Sequence, residues 1–133
     1  MKAISAKATA GLNLGAYLVA SDNSGAKIVK LVSVKRSKAC KKRQVFGKIS
    51  DWVKVSVRVG IPEMKGKVFD AVIIRQKKPF RRLSGERIAF SDNAVAIMKD
   101  EKGNPKGTQI KGPIAREVQE RWPQVAKIAS MVY

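Results

Sequence analysis

Histidine is absent from the 133 residues, and cysteine occurs once, as Cys40. Without an imidazole there can be no Ser-His-Asp or Cys-His arrangement and no histidine metal site, so the commonest general bases and ligands at neutral pH are missing. A lone thiol forms no intramolecular disulfide and no cysteine zinc cluster, which fits a reducing cytoplasm. Acids are few, ten in all, and only Asp100 and Glu101 are adjacent. Such scattering offers neither a carboxylate pair for acid–base work nor the acid cluster a metal-dependent nuclease needs. Solvated acids offsetting neighbouring cations are the simpler reading. The expectation is therefore a protein that is not an enzyme, with no cofactor, no metal and no small-molecule substrate. Long apolar runs are lacking too. Nothing approaches the roughly 18 apolar residues of a spanning helix, the first residues have no signal-peptide core, and no basic amphipathic helix is present, so no membrane partner is expected.

Positive charge is in excess. Twenty-eight Lys and Arg against ten acids give a formal +18. This exceeds what solubility requires, and its default partner is a polyanion, nucleic acid first. A 133-residue chain with 44% apolar content suits one domain that buries roughly two thirds of its unfolded surface.

The cations are grouped. Within residues 71–97, Ala71, Val72, Ile73 and Ile74 form an apolar, β-branched run typical of a strand buried on both faces. Arg75, Lys77, Lys78, Arg81 and Arg82 follow, interrupted by Pro79 and Phe80, and Ser84-Gly85 supplies a chain reversal. This predicts a hairpin with a basic loop whose like charges repel one another unless an anion lies against them, which favours phosphate. Phe80 is placed to stack on a base or ribose. A second span, residues 35–48, carries Lys35, Arg36, Lys38, Lys41, Lys42, Arg43 and Lys48 without an acid. Strand readings anchor both of its ends, so these cations are also candidate phosphate contacts. Cys40 among them reads as a tolerated small residue, since no base or resolving thiol accompanies it.

Tyr17 to Ala20 and Ala26 to Val34 read as a hairpin around the turn 21–25, and Trp52, Val53, Val55, Val57 and Val59 alternate with Lys54, Ser56 and Arg58 as a half-buried strand. Gly60 ends that strand, and the turn-bearing residues 61–67 lead to Val68. Short strands at close spacing predict a small closed barrel, because closure removes exposed edges. Val55, Val57 and Ile73 are expected in its core. Residues 1–13 read as a weakly structured arm, whose composition fits a segment laid along RNA and a frayed terminus alike. After the polar loop 99–107, Gly112-Pro113 predicts a helix start. Ile114, Val118 and Trp122 recur every four residues on an amphipathic helix. Pro123 breaks it, and Val125, Ala126, Ile128 and Ala129 predict a second short helix to the end. The apolar stripe is core packing. The mixed-charge face of Arg116, Glu117, Glu120 and Arg121 repels phosphate and is expected to meet a protein partner.

These segments resemble the universal large-subunit ribosomal protein fourteen family. The resemblance rests on the AVII run with its basic loop, Ser-Gly turn, Ile-Ala-Phe strand and Asn-Ala turn, on ASDNSGAK, on the Ile-Pro segment and Lys-Gly turn, and on GTQIKGPIARE and WPQVAKIAS. The residues ahead of ASDNSGAK and the Trp-Pro resemble the archaeal and eukaryotic branch. Ala96 departs from the pattern, standing where a larger branched residue is usual. The fold class expected is mainly β: a five-stranded, OB/SH3-like β-barrel with a projecting β-hairpin and two short C-terminal α-helices. It is expected as a single domain over 1–133, with the arm at 1–13, barrel and basic loops at 14–98, and a helical region at 108–133. The resemblance further implies a structural constituent of the large ribosomal subunit, in the cytoplasm, that binds large-subunit ribosomal RNA and touches neighbouring ribosomal proteins. It implies bridges to small-subunit ribosomal RNA, and the anti-association factor called initiation factor six as a partner. The alternative is a free OB-like single-strand binder or chaperone, which needs several aromatics on one sheet face. Phe46, Phe69 and Phe90 instead lie at or within apolar strand readings.

Overall fold

The structure is a computed structural model and describes residues 2–133. In chain order its elements are β1 (Ala6–Lys7), β2 (Leu12–Asn13), β3 (Tyr17–Ala20), β4 (Ala26–Val34), β5 (Phe46–Gly47), β6 (Trp52–Gly60), β7 (Val68–Arg75), β8 (Phe80–Arg82), β9 (Arg87–Ile88), β10 (Ala94–Ile97), β11 (Ile110–Ile114), α1 (Arg116–Arg121), α2 (Pro123–Lys127) and β12 (Ala129–Val132). Five strands close a barrel in the order β10-β3-β4-β6-β7. All neighbours are antiparallel except β3 and β10, which run parallel with Ala94 opposite Val19. The expected mainly-β class, the five-stranded barrel, the projecting hairpin of β8 and β9, and the two short helices are all present.

The core follows from the strand patterns. Val29, Val53, Val55 and Ile73 are fully buried, with Leu31 and Val57 nearly so. Ala71 to Ile74 are all fully enclosed. Successive side chains point to opposite faces of a strand, so both sides of β7 must be covered. The C-terminal segment covers part of it, with Ala115 N–H donating to the Ile74 carbonyl at 3.2 Å. Ala96 is fully buried as well, so the small residue at this position is a matter of core volume.

The polar turn 21–25 does more than reverse the chain. Asp22 is buried; its carboxylate accepts the Ile97 N–H at 2.9 Å and the Ser24 hydroxyl at 2.7 Å. Asn23 exchanges side-chain bonds with Thr108, donating to its hydroxyl and accepting its N–H, both at 2.7 Å. The turn thus ties β3 and β4 to β10 and to the segment entering β11.

Three expectations need correction. The arm at 1–13 carries β1 and β2: β1 pairs with β8 to make a three-stranded sheet β1-β8-β9, and β2 pairs with β5. Met1 lies outside the described residues. Gly112-Pro113 does not start a helix but sits in β11; Gly112 has φ +79°, a left-handed conformation that no α-helix contains. The helix begins at Arg116. The last residues are not helical: α2 ends at Lys127, and β12 pairs in parallel with β11. Helices of six and five residues cannot persist alone and depend on such tertiary contacts.

Candidate nucleic-acid interface

The span 35–48 emerges between β4 and β6, and its ends are fixed by the barrel. Lys35 N–H donates to the Trp52 carbonyl at 2.8 Å, and Lys48 N–H to the Asp51 carboxylate at 2.9 Å. Between them β5 pins the loop to β2. All seven candidates, Lys35, Arg36, Lys38, Lys41, Lys42, Arg43 and Lys48, are exposed. Arg36 and Lys42 both have φ +62°. Side chains other than glycine rarely adopt that region, at a cost on the order of 1 kcal/mol each, and such strain clusters at working sites.

The hairpin divides its cations. Lys77, Lys78 and Arg81 are exposed, and Lys78 Nζ reaches the Ala10 carbonyl at 3.2 Å. Arg75, Phe80 and Arg82 were expected at the RNA surface, but they are only 6%, 1% and 7% exposed. Arg75 spends all five guanidinium donors internally. Nε and Nη2 donate to the two Asp92 oxygens at 2.8 and 3.1 Å, Nη1 to the carbonyls of Lys111 and Pro113 at 2.9 and 2.8 Å, and Nη2 also to the Ser21 hydroxyl. Arg82 pairs with Glu117, with Nε to Oε1 at 2.8 Å and Nη2 to Oε2 at 3.3 Å, and also donates to the Tyr133 backbone oxygen. Phe80 belongs to the core and cannot stack on a base.

The strand register assembles a cationic row from residues far apart in the chain. Lys7 lies opposite Arg81, and Arg81 opposite Arg87, across β1, β8 and β9; all three are exposed. Directly opposed like charges destabilise a sheet, so this row is favoured by an anion laid across it. No local signal marks Lys7 or Arg87, because the row exists only once the arm joins the hairpin.

The mixed-charge face on α1 is largely an internal joint. Glu117 is 3% exposed and neutralises Arg82. Glu120 accepts the Ser5 N–H at 3.4 Å. Arg121 donates to the Lys2 carbonyl at 2.7 Å, to the Ser50 carbonyl at 3.3 Å, and lies 3.5 Å from Asp51. Only Arg116 of the four is exposed. The helix therefore clasps the arm and the barrel, helped by Trp122, whose Nε1–H donates to the Ser50 carbonyl at 2.9 Å and whose ring lies 5.2 Å from that of Trp52. Arg116 with Glu86, Arg87, Val132 and Tyr133 lines a groove of about 520 Å³.

Two carboxyls depart from the ordinary range. Burial pushes Asp51 up, against the opposing pull of the Lys48 N–H and Arg121. The Asn104 side-chain bond chiefly holds Asp100 down. Among the described residues no group of three Cys, Asp or Glu converges as a metal site, and no helix is long and apolar enough to cross a membrane.

Fold and site together define a class: small, strongly basic barrel proteins that present cations on anchored loops and strand rows. The family described as ribosomal protein L14p/L23e matches residues 11–133, and the chain belongs to that family. It is 56% identical over 132 residues to large ribosomal subunit protein uL14 of Nanoarchaeum equitans, and 48% identical over 132 residues to that of Methanothrix thermoacetophila, covering 99% of each chain in both cases. The protein of the same name from Sulfurisphaera tokodaii is 50% identical over 124 residues, covering 93% of this chain and 89% of the relative.

Proposed function

We propose that this protein is a structural, non-catalytic component of the large ribosomal subunit in the cytoplasm, binding large-subunit ribosomal RNA through its two basic surfaces. Family membership supports the ribosomal role. The observation that carries the RNA-binding reading is the division of charge. Arg75, Arg82 and Glu117 are neutralised inside the fold, while the seven cations of 35–48, with Lys77, Lys78 and Arg81, are exposed and form no salt bridge among the described residues. Cations left unpaired on anchored loops gain most from phosphate, through Coulomb attraction and counterion release. These contacts position the protein and do not read bases.

The same reading extends to an intersubunit position with bridges to small-subunit ribosomal RNA, and to neighbouring ribosomal proteins. The protein-facing end is then the groove by Arg116, Val132 and Tyr133, where both charge and apolar surface are free; the anti-association factor, initiation factor six, is the candidate partner there. Native lysate fractionated on a sucrose gradient after a moderate salt wash tests the assignment. Co-migration with large subunits is expected, and a predominantly free pool would overturn it in favour of a mobile single-strand binder.

A further inference from the structure

Beside the root of the basic loop lies a cleft of about 270 Å³ whose walls include Arg36, Phe46, Lys48, Asp51 and Arg121. By sequence Phe46 reads as an apolar strand residue. It is 41% exposed, and it is not among the hydrophobic side chains packed on the core, although its neighbour Val45 is. Its backbone is nevertheless fixed, because β5 pairs it with Asn13. An aromatic ring left in solvent beside cations, on a strand whose backbone is paired, is unexplained by packing.

The floor of the cleft adds a second element. Asp51 Oδ2 accepts the Lys48 N–H at 2.9 Å, and Oδ1 stands 3.5 Å from Arg121 Nη1. Each oxygen has more than one lone pair, so the carboxylate keeps acceptor capacity. Its partial burial, which pushes the carboxyl above its ordinary range, leaves the ion poorly solvated and responsive to added donors. The cleft thus offers a π-face, a paired acceptor edge, and the flanking cations Arg36 and Lys48.

We propose that this cleft seats one unstacked guanine nucleotide of the bound RNA, its ring on Phe46, its Watson–Crick edge on Asp51 and its flanking phosphates on Arg36 and Lys48. Unstacked bases in loops and bulges are the usual target of aromatic side chains in RNA recognition. Guanine presents adjacent N1–H and N2–H donors, which match two carboxylate oxygens. Uracil sets a single N–H between carbonyls that a carboxylate repels. The inference rests on the RNA-binding reading above and adds base selectivity at one point of an otherwise sequence-blind surface.

The test compares affinities of the full chain for an RNA hairpin carrying one bulged guanosine, the same hairpin with a bulged uridine, and the uninterrupted duplex, each at two salt concentrations. The wild-type protein should prefer the bulged guanosine over the duplex by about five- to a hundredfold, the range a single stacked base supplies. Phe46→Ala should abolish that preference while leaving duplex affinity and its salt dependence unchanged. Phe46→Tyr should retain it, and Asp51→Asn should narrow the guanosine-over-uridine ratio. Equal binding of bulged and plain RNA by the wild type, or an undiminished preference in Phe46→Ala, overturns the cleft assignment and leaves RNA binding standing. Absence of salt-dependent binding to all three RNAs overturns the RNA-binding reading itself.

Discussion

Arg82 and Glu117, thirty-five positions apart in the chain, meet at 2.8 Å with both side chains buried. Arg81, its neighbour, points to solvent. Removing one partner of a buried pair leaves the other as an uncompensated charge, so Arg82→Ala or Glu117→Ala should destabilise the fold by about 3–5 kcal/mol. Arg81→Ala should stay within about 0.5 kcal/mol, as exposed positions usually do. Replacing the pair together by Met and Leu should recover most of the loss. Denaturant melts of the four variants decide the matter, and a double variant as unstable as either single one would refute the ion-pair account.

In the barrel, Ile73 is fully enclosed on β7. Ile73→Ala should cost roughly 2–5 kcal/mol through lost transfer energy and the cavity left behind. Thermal melts should rank it far below Arg81→Ala; the reverse order would misplace both residues.

The row Lys7, Arg81 and Arg87 makes a prediction of opposite signs. Lys7→Thr and Arg87→Thr each relieve like-charge opposition, so stability should hold or rise by up to about 0.5 kcal/mol. RNA affinity should fall in the same variants, nearly uniformly across sequences, with the salt slope reduced by about one phosphate's share. Single replacements of Lys41, Lys42 or Arg43 should behave likewise. If about six phosphates are neutralised in all, wild-type affinity should drop on the order of a thousandfold between 50 and 200 mM salt. A flat salt dependence removes the phosphate argument.

Asp51 and Asp100 should titrate on opposite sides of the ordinary carboxyl value of 3.8. For Asp51 the folded state holds its proton to higher pH than the unfolded state does. Its ionisation therefore subtracts stability as pH rises through the window just above 3.8. For Asp100 the folded value lies lower, so its contribution is present above the ordinary value and is lost as pH falls through the folded one. Carboxyl chemical shifts followed by NMR should place the Asp51 midpoint above that of Asp100, and the reverse order would contradict the desolvation argument.

The barrel was legible because β4, β6 and β7 announce themselves locally, by alternation or by an uninterrupted β-branched run. The split between Arg81 and Arg82 was legible in principle. Phe80 and Arg82 share a face in a strand of period two, so a buried Phe80 carries Arg82 inward with it. Counting charges along the loop hides that alternation. Glu117, which receives Arg82, is equally invisible as a partner because the contact spans separate elements. The arm gave no signal: β1 has two residues, and its pairing with β8 is decided by hydrogen bonds the arm cannot make alone. Val125 and Ala126 do lie in α2, but Ile128 and Ala129 read as its continuation because short apolar runs do not distinguish helix from strand; the parallel partner β11 decides for strand at Ala129.

The seam between β3 and β10 joins Val19 to Ala94, so no earlier part of the chain can close it. At synthesis rates of about 5–20 residues per second, β3 waits about 4 to 15 s with one edge open before its partner emerges. An open strand edge is a template for pairing with another chain. During that interval the ribosome-bound nascent chain already displays the cations of 35–48, and mutual repulsion between such chains lowers the chance that two open edges meet.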